Sequence, residues 1–352
     1  MLETTALILE KGNDTFKVAN ILVDGALQPQ DVLVDILASG ICHTDIAVQK
    51  HGKFPGKFPR VLGHEGTYLK LLSRLISGAG IVKAIGSGIT HVKPGDRVIL
   101  SFAYCNQCRA CEAQVPGVCY TFFNQNNNGG RPDGSPTMFL ARENGIQEPI
   151  HGSFFGQSSF ARLSICHGIS VIPVSSEYDS VPIELLAPFG CGFQTGAGAV
   201  INVVKPEESK PRTLAVFGIG AVGFSALFAA KATSPADTQI IGVDIVPSRL
   251  ALAEELGFKI IDGRTVNLSQ DGALLAAIKE VTGGLALDAA VDTTGHSLMV
   301  PQILQALAPL GKLVTLANAS WDQKIEVKIA DLMVYAKQWV GSIEGNSVPQ
   351  KV

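Results

Sequence analysis

The chain is poor in charge, in cysteine and in aromatic rings: only 17% of its 352 residues are charged, seven are cysteine and 7% are aromatic. Lys and Arg number 28 against 31 Asp and Glu, so the formal net charge is −3 and no basic surplus draws the chain to nucleic acid or to an anionic membrane. Long apolar runs are also missing. The most apolar stretch, LAVFGIGAVGFSALFAA (Leu214 to Ala230), carries three glycines in its first ten positions and falls short of the roughly 20 residues a membrane span needs. It reads instead as a buried strand followed by a helix. The amino-terminal MLETTALILEKGNDTFK has neither the basic start nor the apolar run and cleavage site of a signal peptide, and a cytosolic protein is expected. In that reducing setting an odd number of cysteines does not make a disulfide framework, which turns attention to metal.

What is present is 46% hydrophobic residues with 37 glycines, the composition of a loop-rich globular α/β protein. The length exceeds what one core usually supports, so two domains are expected. From Thr213 onward strand-like runs (TLAVF, QIIGVDI, KIID, LDAAVDTTG, KLVTLANA, WVGSI) alternate with helical ones (AVGFSALFAAKA, PSRLALAEELG, LLAAIKEVTGG, LMVPQILQALAPLG). Repeated βαβ units of this kind give a parallel sheet with helices on both faces. Pro247 and Gly257 stand where a helix starts and stops. The first 190 residues differ: short strands such as DVLVDILAS and GDRVILSF are broken by Gly, Pro and Asn, which predicts an irregular β-rich domain. Within it, residues 120–153 with FFNQNNNGGRPDGSPT read as a long surface loop.

In VFGIGAVGFSALF, Gly218, Gly220 and Gly223 form a G-x-G-x-x-G that follows a strand and opens a helix. That context supplies a tight turn, close backbone approach to a pyrophosphate at Gly220 through Ile219, Ala221 and Val222, and a helix N-terminus facing phosphate. Asp244, twenty-one residues after Gly223, ends the second strand, where a carboxylate accepts from a ribose hydroxyl and repels a 2′-phosphate. NAD is therefore favoured over NADP. A glycine-rich turn in a nucleotide-free α/β domain is the alternative.

Cys105, Cys108, Cys111 and Cys119 follow C-x2-C-x2-C-x7-C, and four thiolates on one loop can close a tetrahedron around Zn²⁺. An iron–sulfur cluster shares the first spacings, but the last spacing is seven and Tyr120 rather than proline follows. A zinc ribbon for nucleic acid is disfavoured, since Arg109 is the one base in the loop. Cys42 in GICHTD, His64 in LGHEG and Cys191 in FGCGFQTGAG are scattered, and taken singly each reads as a packing or loop residue. A scattered Cys-His-Cys set also matches a catalytic zinc with an open fourth position.

In this order, GICHTD, GHEG, the four-cysteine loop, GCGFQTGAGA and VFGIGAVG resemble the zinc-dependent alcohol dehydrogenases of the medium-chain dehydrogenase/reductase superfamily, over almost the whole chain. GSIEGNSVPQ is similar to the aryl and benzyl alcohol dehydrogenase branch, and within it to fungal enzymes of polyketide and mycotoxin (patulin-type) pathways. The resemblance implies a GroES-like catalytic domain over residues 1–192 with a structural-zinc lobe, a Rossmann NAD(P)-binding domain over 193–343, and a truncated return to the catalytic domain over 344–352. It implies that Cys42, His64 and Cys191 bind the catalytic zinc with Glu65 near enough to reach it, and that Cys105, Cys108, Cys111 and Cys119 hold a structural zinc, two ions per subunit. Thr44 then passes on the alcohol proton, Asp45 supports the metal ligands, His43 lies beside the pyrophosphate and Arg249 near the adenosine ribose. The substrate implied is a primary aryl or allylic alcohol or its aldehyde, and the assembly a homo-oligomer, dimer or tetramer. Two features depart from the pattern. TYLKLLSRLISG (Thr67 to Gly78) intervenes after GHEG, either as one or two apolar-faced helical turns or as sequence foreign to the family, and the chain stops at SVPQKV where relatives continue. A catalytically impaired relative that binds zinc and dinucleotide is thus the second reading, and a zinc-free quinone reductase, which lacks both cysteine sets, the weaker enzyme alternative.

Overall fold

The computed structural model describes residues 1–51, 57–64, 78–141, 146–316 and 322–351. Glu65 and all of the Thr67 to Gly78 segment except Gly78 lie outside the described residues. The chain divides into two compact units, Met1–Gly192 with Val348–Val352, and Phe193–Ser347.

Among the described residues the first unit holds ten strands: β1 (Leu2–Leu9), β2 (Lys17–Val23), β3 (Asp31–Ala38), β4 (Arg60–Val61), β5 (Ala79–Ile85), β6 (Arg97–Leu100), β7 (Met138–Ala141), β8 (Gln147–Ile150), β9 (Leu163–His167) and β10 (Val171–Pro173). They form two antiparallel sheets, ordered β4-β1-β2-β7-β8 and β10-β6-β5-β3-β9. In β3, Val32, Val34 and Ile36 alternate inward and meet Val82, Val98, Leu100 and Val171 in one apolar core. Period-two burial of this kind is what the β-branched run DVLVDILA encodes.

Among the described residues the second unit carries a six-stranded parallel sheet: β11 (Thr213–Phe217), β12 (Gln239–Asp244), β13 (Lys259–Asp262), β14 (Leu287–Asp292), β15 (Leu307–Thr315) and β16 (Gln338–Gly341), ordered β13-β12-β11-β14-β15-β16. This is the doubly wound Rossmann order, in which ligands bind beyond the strand ends at the β11/β14 switch point. Leu214 and Val216 pack on one face against Ala226, Leu227 and Leu250, while Ala215 and Phe217 pack on the other against Leu274, Ile278 and Ile303. Both faces of the sheet are thus covered, and its strands read as continuous apolar runs. LMVPQILQALAPLG, expected as one helix, ends as a helix at Ala306 and continues as β15.

The FFNQNNNGGRPDGSPT stretch is not the surface loop its polarity suggests. Asn126, Asn127, Arg131 and Thr137 are buried, and Phe122–Asn127 is helical. Its polar groups point inward to satisfy backbone and carboxylates: Asn126 accepts from Ala103 N and donates to the carbonyls of Ala103 and Phe122, each within 2.9 Å. Arg131 donates through Nε to Asp31 (2.8 Å) and through Nη2 to Asp24 (2.9 Å). Removing one partner of a buried ion pair leaves uncompensated charge. Arg131→Met is expected to destabilise the first unit by about 3 kcal/mol, read as a lower denaturant midpoint by tryptophan-independent circular dichroism. An unchanged midpoint would show that the clasp is dispensable.

Candidate active site and metal centres

The first centre begins with helix capping. Cys42 is the residue before the helix His43–His51, and Asp45, in its first turn, reaches back to accept from Cys42 N at 3.0 Å. This is half of a capping box, satisfying a backbone donor that the helix start would leave bare. The same carboxylate accepts from Gly63 N at 3.1 Å and faces His64 Nδ1 at 3.3 Å, so one side chain ties the Cys42 turn to the His64 strand end. Asp45 is fully buried and His64 is 1% exposed. Cys191 follows the short helix Ala187–Gly190, which Ser101 Oγ fixes by donating to Gly190 O at 2.6 Å. The outcome is that Cys42 Sγ, a His64 ring nitrogen and Cys191 Sγ all lie within 4.8 Å of one another. Thr44 Oγ1 stands 3.7 Å from Cys42 Sγ, while His43 is exposed on the helix.

His64 Nε2 is buried without a hydrogen-bond partner, an arrangement that is costly unless something else uses its lone pair. Burial disfavours a charged imidazole here, yet the negative charge of Asp45 and Cys42 outweighs it and holds the pKa well above the usual histidine range. The negative groups that favour a protonated imidazole would favour a bound metal cation in the same way. Zn²⁺ answers the same demand with thiolate and imidazole ligands, so the donor set fits that ion.

Two aromatic rings with no recognisable motif around them hold the imidazole. Phe155 stacks on His64 at 4.2 Å and Phe154 meets it edge-on at 5.1 Å. Their segment is strained, with Ser153, Phe155 and Ser158 all at φ between 53° and 60°, a region non-glycine residues rarely adopt. It is held there because Gln157 Nε2 donates to the carbonyls of His64 (3.2 Å) and Ser101 (2.9 Å), and Ser158 Oγ donates to Val61 O at 2.7 Å.

In the second centre Sγ–Sγ separations are 3.6 Å (Cys108–Cys111), 3.9 Å (Cys105–Cys111) and 3.9 Å (Cys108–Cys119). Disulfide sulfurs sit at about 2.05 Å, whereas Zn–S bonds of about 2.3 Å in a tetrahedron set an edge of about 3.8 Å. An iron–sulfur cluster would hold the thiolates apart with its own irons and sulfides, so the compact set fits a single zinc. Backbone N–H groups of Tyr120 and Cys111 lower the Cys108 thiol to about 6, while burial raises Cys111 to about 12. A bound dication removes that disparity by stabilising all four thiolates together.

In the second unit, Gly218 takes φ 80° in the turn after β11, and a Cβ on Gly223 would run into the Gly218 carbonyl, so the helix Ala221–Thr233 packs tightly on the strand. Gly220 precedes that helix, and Ala221 and Val222 supply its first N–H groups. Asp244 accepts from Ile219 N (2.8 Å), Ile245 N (2.7 Å) and Val246 N (2.9 Å), and pairs with Arg249 Nη1 at 3.3 Å. The fingerprint, the carboxylate and the guanidinium therefore meet at one place. Thr293, directly after β14, also belongs there: its hydroxyl donates toward Gly218 O at 2.7 Å.

With that geometry in view, the comparisons are consistent across both units. Residues 28–146 match the alcohol dehydrogenase GroES-like domain and residues 221–352 the zinc-binding dehydrogenase family. A probable alcohol dehydrogenase of Pseudomonas sp is 35% identical over 311 residues, covering 88% of this chain and 89% of that protein. Geraniol dehydrogenase of Castellaniella defragrans is 36% identical over 324 residues, covering 91% and 78%. The crystal structure of benzyl alcohol dehydrogenase from Acinetobacter calcoaceticus superposes with a TM-score of 0.85 at 35% identity, covering 100% of this chain and 87% of that one. The chain belongs to the zinc-dependent alcohol dehydrogenases of the medium-chain dehydrogenase/reductase superfamily. Its first unit carries the GroES-like domain and its second a Rossmann-type parallel sheet. Among the described residues no helix is long and apolar enough to cross a membrane.

The two donor sets should fail separately. Cys111→Ser is expected to lower bound zinc from two ions to one and to drop the thermal midpoint, and Cys42→Ser to lower zinc to one with the midpoint nearly unchanged. Metal analysis and calorimetry check this, and equal effects from both substitutions would contradict distinct roles.

Proposed function

We propose that this alcohol dehydrogenase interconverts a primary aryl or allylic-type alcohol and its aldehyde, with NAD as the favoured coenzyme and Cys42, His64 and Cys191 as ligands of a catalytic zinc. The supporting observation is the convergence of those three donors within 4.8 Å, with the Thr44 hydroxyl 3.7 Å from Cys42 Sγ. The benzyl alcohol and geraniol named for two relatives are both primary alcohols whose carbinol carbon is next to an unsaturated carbon, which supports the substrate class.

When bound, zinc acidifies an alcohol hydroxyl or polarises a carbonyl, and nicotinamide accepts or returns the hydride. The protein's own residues then have distinct tasks. Asp45 holds the Cys42 turn and the His64 strand end in register. Phe154 and Phe155 fix the imidazole plane and keep water from that side. Thr44 Oγ1 accepts the proton leaving the alcohol and donates it back in the reverse direction, a role a hydroxyl fills because it both donates and accepts. In the second unit the N–H groups at the start of the Ala221–Thr233 helix bind the pyrophosphate. Asp244 binds the adenosine ribose with Arg249 beside it.

The test is to purify the protein, count zinc, and measure oxidation of benzyl and allylic alcohols with NAD⁺ and NADP⁺, and the reverse reduction of the aldehydes. Two zinc ions per chain and turnover faster with NAD⁺ support the proposal. Two ions with no turnover on the panel would favour the impaired relative. Asp244 repels a 2′-phosphate while Arg249 can accept one, so Asp244→Asn is expected to shift the ratio of kcat/KM for NAD⁺ over NADP⁺ toward NADP⁺ by at least about tenfold. An unchanged ratio would place coenzyme selection elsewhere.

A further inference from the structure

Arg60, in β4, is a fully buried cation that none of this chemistry uses. It is 1% exposed, and its Nε and Nη1 have no hydrogen-bond partner. Burying a charge without partners is costly, so the position is occupied at the expense of stability. The guanidinium carbon lies 5.0 Å from the centre of the Phe154 ring and 6.0 Å from that of Phe58, the nearer within cation–π range. Phe154 also meets His64 edge-on, with ring centres 5.1 Å apart. Both groups touch the same ring, so the guanidinium carbon lies no farther than about 10 Å from the imidazole centre.

The charges around it favour one role. Asp45 attracts the guanidinium, while His151, joined to Arg60 by an isolated backbone bridge, feels the positive charge of both Arg60 and Lys57. Attraction to Asp45 opposes the burial that lowers the guanidinium to about 10, so Arg60 remains protonated at neutral pH. Were a zinc ion bound, the Cys42 and Cys191 thiolates would balance the dication, and among the described residues Asp45 would leave one negative charge that Arg60 offsets.

We propose that Arg60 is a buried counter-charge for the Cys42–His64–Cys191 centre, a positioning residue that acts through Asp45 and the Phe154 ring, never touching substrate, to favour the anionic form of the alcohol. This rests on the metal-centre reading above. At an effective dielectric near 20, a unit positive charge about 10 Å from an ionising group, the outer limit of the Arg60–imidazole separation, lowers that group's pKa by about one unit. The same charge repels the metal and weakens its binding by at least about tenfold.

The experiment first counts metal in the wild-type enzyme, then compares Arg60→Met, Arg60→Gln and Arg60→Lys by chelator competition for the Cys42-site zinc and by the pH dependence of alcohol oxidation. The neutral variants are expected to hold that zinc at least about tenfold more tightly. The pH of half-maximal kcat should rise by about one unit, with thermal midpoint unchanged or higher and Arg60→Lys close to wild type. Neutral variants with wild-type zinc affinity and pH profile would make Arg60 a spectator. Variants that lose zinc or fail to fold would make it a packing residue; either result overturns the assignment. A wild-type enzyme holding metal at the four-cysteine set alone defeats the underlying metal-centre reading, and the counter-charge with it.

Discussion

One buried carboxylate organises the first unit's chemistry. Asp45 accepts hydrogen bonds from Cys42 N and Gly63 N and lies 3.3 Å from His64 Nδ1, all while fully shielded from water. Each contact solves a local problem: a helix start with a bare donor, a strand end that must stop in register, and an imidazole that must present one nitrogen only. A short acidic side chain does all three because its two oxygens can accept in several directions at once. The loop carrying Cys191 is fixed separately through Ser101, so the third donor arrives from a different part of the same unit.

The two cysteine-bearing centres illustrate opposite electrostatic designs. The four-cysteine set is a local chain feature, spanning residues 105–119, and its short sulfur separations match the edge of a thiolate tetrahedron around one ion. The Cys42–His64–Cys191 set is non-local and, among the described residues, offers three donors rather than four. Aromatic rings and strained backbone flank it. Strain of that sort persists where packing overdetermines it, and here Gln157 and Ser158 do the fastening.

Sequence reasoning reached the parts whose physics is local. The six parallel strands announce themselves through apolar runs, Gly218 and Gly223 through turn and packing geometry, and the lobe cysteines through spacing. Cys42, His64 and Cys191 had no spacing rule and were legible by resemblance to a family. Phe154, Phe155 and Arg60 were invisible, because SFFGQSSF has neither helical nor strand periodicity and a lone arginine in a short strand reads as exposed. The Asn-rich stretch misled for a physical reason as well. Polar side chains there satisfy buried backbone and carboxylate groups, and composition alone cannot distinguish that from solvation.

Cobalt substitution followed by electronic absorption tests whether Cys42, His64 and Cys191 form a cation site of their own, distinct from the all-cysteine one. Two tetrahedral Co²⁺ centres are expected, one with four thiolates and one with two thiolates and an imidazole, the second abolished by His64→Ala. A spectrum containing the four-thiolate centre alone would contradict a separate site.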